Sequence, residues 1–126
     1  MSTWASRAVS ADDAVSHVAS GARVFIHGAA ATPTPLVEAL SRRTDLADVT
    51  LYHLHTAGPA PFAAPEQAGR FLSISLFTGA PVRNAVDDGR ADFVPVFLSD
   101  IPRLFTSKTI ALDVALVQLS VPDRHG

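Results

Sequence analysis

Short apolar runs rich in β-branched and aromatic residues recur along the chain, each followed by a segment with helix-start signals, and this alternation most constrains what the chain can fold into. Residues 23–27 (Arg-Val-Phe-Ile-His), 49–54, 71–77, 93–97 and 113–121 are the runs. Between them lie Ser10-Ala11-Asp12-Asp13, Thr34-Pro35 and Ser99-Asp100-Ile101-Pro102. Strands alternating with helices favour a mostly parallel sheet with helices on both faces, and near-continuous apolar strands agree with burial on both sides. The expected class is therefore α/β. Parallel strands also require crossover connections, right-handed by rule, although strand order is not encoded in the pattern.

Local chemistry sets the expected boundaries. Ser10 and Asp13 form a capping box in which the Ser10 hydroxyl accepts the third amide and Asp13 returns to the Ser10 amide, starting a helix over residues 11–19 that Gly21 ends. Thr34 as N-cap and Pro35 at N1 start a second helix that runs to about residue 43. Residues 81–88 read as a short helix stopped by Gly89, and Ser99 as the N-cap of another. Residues 56–69, with Gly58, Pro59, Pro61 and Pro65, cannot hold regular structure. A loop of that length is either a site wall or partner contact, or a plain surface excursion.

Composition narrows the function classes. The chain has 126 residues, 48% of them hydrophobic and 17% charged, enough for one folded domain and far from disordered compositions. Ten Lys+Arg against 12 Asp+Glu give a formal charge of -2 with the basic residues scattered, so no footprint for nucleic acid or an anionic membrane is visible. With no cysteine there are no disulfides, thiolate metal sites or cysteine nucleophiles. The apolar stretches fall short of a membrane span and residues 1–9 lack an export signal core, so a cytoplasmic location is expected.

Few residues stand out as chemical groups. Residues 28–35 join a strand to a helix through Gly28, Ala29, Ala30 and Ala31, leaving amides open to a phosphate or carboxylate beside a helix N-terminus; close packing alone would also explain the small residues. The segment is neither a dinucleotide fingerprint nor a P-loop. His53 and His55 are expected on one strand face, where such a pair can bind a transition metal or simply hydrogen-bond; no third ligand is evident and no metal is expected. His27 sits beside the glycine loop, as a site residue or a satisfied core histidine. No Gly-x-Ser-x-Gly elbow exists, Ser73 and Ser75 lie inside a strand, and Asp87-Asp88 read as a solvated turn before Gly89.

A long block is far more specific. Phe77, Gly79, Arg83, Ala85-Val86, Gly89-Arg90-Ala91-Asp92-Phe93, Pro95 and Phe97-Leu98-Ser99-Asp100-Ile101-Pro102 follow one another at fixed spacing. Asp113-Val114-Ala115, Gln118-Leu119-Ser120 and Pro122-Asp123-Arg124-His125-Gly126 come after it in order. The block resembles the amino-terminal domain of the acetyl-CoA hydrolase/transferase family, which includes acetate, succinate and 4-hydroxybutyrate CoA-transferases. The likeness extends from about Gly21 onward.

The resemblance implies a CoA-transferase-like α/β fold, here a partial domain over residues 1–126. It also implies transfer of CoA from acetyl-CoA to short-chain carboxylic acids through a glutamyl-CoA thioester, in acetate metabolism. The family's nucleophilic glutamate lies in a carboxyl-terminal domain, so no catalytic residue is assigned and the chain alone is expected to be inactive; neither Glu38 nor Glu66 stands in the family's catalytic context. Carried over as substrate-binding positions are Gly28 and Ala29 of the loop, with Phe77, Gly79 and Arg83. Arg83 can bind a carboxylate or pair with Asp87 four residues on. Coenzyme A enters as a thioester substrate, with no bound cofactor, and the whole protein is expected to be a homo-oligomer. The rival from another class is a non-catalytic binding module with the same partial fold.

Overall fold

The computed structural model describes residues 4–123. Five parallel strands form one sheet in the order β4-β3-β2-β1-β5: β1 (Arg23–Ile26), β2 (Val49–Leu54), β3 (Phe71–Phe77), β4 (Asp92–Phe93) and β5 (Val114–Leu116). The helices are α1 (Ala11–Val15), α2 (Thr34–Arg42), α3 (Arg83–Asp87) and α4 (Ile101–Thr106). The α/β expectation holds in architecture and in strand direction.

Side-chain alternation sorts the layers. Val24 and Ile26 of β1, with Val49 and Leu51 of β2, point to one face and pack with Val15, Val18, Val37, Leu40, Phe62 and Val82. That face therefore carries α1, α2 and the approach to α3. Phe25 points the other way and meets Phe105 of α4 edge to face at 5.6 Å. Helices accordingly lie on both faces. The chain steps outward from β1 to β4 with its connections on the first face, then returns across the second to β5. The direction reverses between β1 and β5, and in open α/β sheets ligands bind outside the carboxyl ends of strands at such a reversal.

Several boundaries differ from expectation. The Ser10 hydroxyl accepts the Asp13 amide at 3.0 Å, but it donates to the Asp13 carboxylate at 2.6 Å, so Asp13 does not return to the backbone. The first helix ends at Val15, not residue 19, because the Arg43 guanidinium takes the Val15 and Val18 carbonyls at 2.7 and 3.2 Å. Gly21 (φ 77°) makes the turn into β1 instead of closing that helix. Thr34 is the first helical residue, preceded by Pro33, and makes no capping bond.

Residues 56–69 contain two 3-10 turns, Pro61–Ala63 and Pro65–Gln67, and serve as the crossover from β2 to β3. Phe62 from the first turn is 2% exposed in the core, so this segment is a structural plug and not a surface excursion. The fourth strand is only two residues long, and its ladder ends with the Val94 amide donating to the Ser75 carbonyl at 2.9 Å. The fifth ends at Leu116, and residues 117–121 are exposed, contrary to the expected buried strand over 113–121. Ser99 lies inside a 3-10 turn (Leu98–Asp100) and caps nothing; Asp100 precedes α4.

Candidate functional site

The carboxyl ends of β1, β2 and β3 are knitted together. After β1, Gly28 leads into a 3-10 turn over Ala29–Ala31. A Cβ on Gly28 would collide with the Leu54 carbonyl, so only glycine fits where β1 leaves the sheet. The Ala29 amide donates to the His55 carbonyl at 2.8 Å. Thr32 donates its hydroxyl to the Ala29 carbonyl at 2.8 Å and accepts the Ala57 amide at 3.2 Å. A Cβ on Gly79 would stand 3.1 Å from the Thr56 carbonyl oxygen and 3.2 Å from its nitrogen, so the end of β3 also presses against the bend after β2.

Two non-glycine residues on this edge have left-handed backbones, Ala29 (φ 50°) and His55 (φ 43°). Each costs about 1 kcal/mol or more, and such strain concentrates where surrounding contacts over-determine a site. The Gly28 and Ala30 amides make no hydrogen bond among the described residues. They are donors available to an anion, beside the reversal point of the sheet.

The sequence-derived residues can now be placed. Gly28, Ala29, Phe77 and Gly79 all lie on this edge. Phe77 is 45% exposed and stacks on the His55 ring with centroids 3.8 Å apart. Arg83 opens α3 just beyond Gly79. It is exposed and forms no ion pair with Asp87 or any other described residue, so the helix pair is absent. An exposed pair of that kind contributes only about 0.3–0.5 kcal/mol, too little to hold two long side chains together. The solvated turn at Asp87-Asp88 is present, with Asp88 accepting Arg90 at 2.9 Å.

The histidine pair separates. His53 is fully buried on the core face, its Nε2 2.7 Å from Ser73 Oγ and its Nδ1 3.0 Å from Thr56 Oγ1, and burial pushes its pKa down to about 4. His55 lies past the end of β2, exposed and turned by its positive φ, so the two rings do not share a face. Among the described residues no cluster of three or more His, Cys, Asp or Glu is arranged to hold a metal. His27 at the end of β1 is half-buried and leaves Nδ1 without a partner. Sequence reasoning missed Thr32 and Thr56 as ties of the edge; their partners lie far along the chain, and no local pattern marks them.

The fold is thus an open parallel α/β sheet whose carboxyl edge carries two amides and an arginine without partners among the described residues. The chain belongs to the acetyl-CoA hydrolase/transferase family: the model of that family's N-terminal domain matches residues 1–126. It is 47% identical over 126 residues to a succinyl-CoA:acetate/propanoyl-CoA:succinate CoA transferase of Fasciola hepatica, covering 98% of this chain and 25% of that protein. A 4-hydroxybutyrate coenzyme A transferase of Clostridium kluyveri is 35% identical over 119 residues, covering 94% of this chain and 28% of the relative. Among solved structures, RipA from Yersinia pestis superposes with a TM-score of 0.79 at 28% identity over 94% of this chain and 30% of its own. A 4-hydroxybutyrate CoA-transferase from Porphyromonas gingivalis gives 0.76 at 29% identity over 98% and 27%. The chain thus spans about a quarter of the length of these relatives. No helix among the described residues is long and apolar enough to cross a membrane.

Proposed function

We propose that this chain is the amino-terminal part of a CoA-transferase that moves CoA between acetyl-CoA and short-chain carboxylic acids through a glutamyl-CoA thioester, the glutamate lying in sequence beyond these residues. The observation that carries this reading is the 47% identity to a CoA transferase across nearly the whole chain. A carboxylate nucleophile splits one acyl exchange into two easier steps, and each step develops negative charge on an acyl oxygen. Backbone amides stabilise such an oxygen without side-chain charge, and the Gly28 and Ala30 amides are free to do so. Phe77 supplies an apolar wall, Gly79 close approach, and the unpaired Arg83 a partner for a substrate carboxylate.

Neither glutamate of the chain takes the nucleophile's place in this reading. Glu38 lies within α2 and Glu66 in the turn Pro65–Gln67, both exposed and outside the carboxyl edge. Coenzyme A is a substrate here, as its acyl thioester, and no resident cofactor is invoked. The remaining sequence would complete the site, in a protein that assembles with copies of itself. The test is an assay of the 126-residue chain alone with acetyl-CoA and succinate. No transfer is expected. Turnover that persists in the purified chain and disappears in Glu38→Gln or Glu66→Gln would overturn the proposal.

A further inference from the structure

The loops of the carboxyl edge meet on one bend, residues 54–57. The Leu54 carbonyl abuts Gly28, the His55 carbonyl accepts Ala29, and the Thr56 backbone faces Gly79. That bend contains a left-handed His55 and needs something to hold it. From below, Thr56 Oγ1 meets His53 Nδ1 at 3.0 Å, and His53 Nε2 meets Ser73 Oγ at 2.7 Å. His53, Thr56 and Ser73 are 0%, 4% and 2% exposed. Val49 and Leu51 occupy the two preceding core-facing positions of β2, and the series turns polar only at the position nearest the bend. An apolar residue there would fill the same space against Phe62 but would leave the Thr56 hydroxyl without its one partner among the described residues.

We propose that His53 is a positioning residue of the acyl-binding wall: through Thr56 it fixes the 54–57 bend, and through the bend it sets the Gly28–Ala30 amides and the approach of Gly79. This rests on the reading of that edge as the acyl-binding wall. A neutral imidazole has one donor and one acceptor nitrogen, and both neighbours are hydroxyls that can play either part, so both tautomers keep the chain Ser73–His53–Thr56 intact. The second tie, from the Ala57 amide to Thr32, acts at the surface and does not reach the core.

Amide hydrogen exchange of the 126-residue chain, read at Ala29 and at core amides of β1, tests this. In His53→Asn the side-chain amide stands where Nδ1 stood and keeps Thr56; in His53→Gln it reaches the Nε2 position and keeps Ser73. His53→Asn should leave Ala29 exchange within about twofold of the parent, while His53→Gln raises it about fivefold, the worth of one lost hydrogen bond. Thr56→Val, a mild change at the edge of the core, should raise it equally, and Ser73→Ala should not. A merely structural role would move Ala29 and the β1 core amides together in every variant, and that result would overturn the proposal, as would an unchanged Ala29 in Thr56→Val. Titration of the parent chain with sodium succinate tests the underlying reading separately: no shift at the Gly28 and Ala30 amides removes the acyl-wall role, whatever the exchange data show about the bend.

Discussion

The two faces of the sheet are finished to different degrees. On the face of α1 and α2, Val24, Ile26, Val49 and Leu51 are completely buried. On the other face α4 meets β1 through Phe105 and Phe25, and Leu72 of β3 is 45% exposed. Phe93 of β4 and, after it, Phe97 and Leu98 are also open, at 52%, 80% and 54% exposed. Monomeric proteins seldom leave so many large apolar side chains adjacent and open, and such patches mark contact with another surface. The relatives are about four times longer than this chain. One sheet thus combines a sealed core, beneath the tied carboxyl edge, with a partly open face.

If this contrast is right, substitutions should cost much on one face and little on the other. Leu51→Ala, in the sealed core, should lose about 2–5 kcal/mol of unfolding free energy, while Leu72→Ala on the adjacent strand should lose well under half as much; equal losses in denaturant titrations would break the comparison.

Acid should act on the sealed face next. The His53 pKa is about 4 in the fold against an ordinary 6.5, so between these values the unfolded chain takes up a proton that the fold refuses. Stability is therefore full above pH 6.5, falls as pH drops toward 4, and ends lower by roughly 3 kcal/mol. Among the described residues the ring meets Ser73, Thr56 and Phe62, none of them charged. Denaturation at pH 7 and pH 5 should show a loss of about 2 kcal/mol that His53→Asn removes.

Gly28→Ala places a methyl group on the Leu54 carbonyl and should cost about 1–3 kcal/mol with the loss of the Ala29 to His55 hydrogen bond, visible in amide shifts. At the small end, Phe97→Ser should change stability by less than about 0.5 kcal/mol while reducing self-association and apolar dye binding. Undiminished dye binding would show that the open patch lies elsewhere.

How far the chain could be read in advance follows the range of the forces involved. β2 and β3 were legible to the residue, because their apolar runs are bounded by Gly, Asp and Pro. Gly89 (φ 71°) stops α3 as its position suggests. The fifth strand was overread: Val117, Leu119 and Val121 are as apolar as a buried strand, but nothing among the described residues covers them, and composition does not say whether a neighbour exists. At the site, Gly28 and Gly79 announced close approach, but what approaches them, the Leu54 carbonyl and the Thr56 backbone, is a long-range fact. His53 and His55 share a face only while the strand continues, and it ends between them. Spacing placed Arg83 within reach of Asp87; exposure to water decided against the pair.

The most direct test of the account is a titration of the 126-residue chain with sodium succinate, followed through backbone amide shifts in parent and Arg83→Gln. The account predicts saturable shifts at Gly28, Ala30 and Gly79 that weaken about tenfold in Arg83→Gln, as expected for one charge-assisted contact. Shifts that are absent from this edge, or that are the same in both proteins, would contradict it.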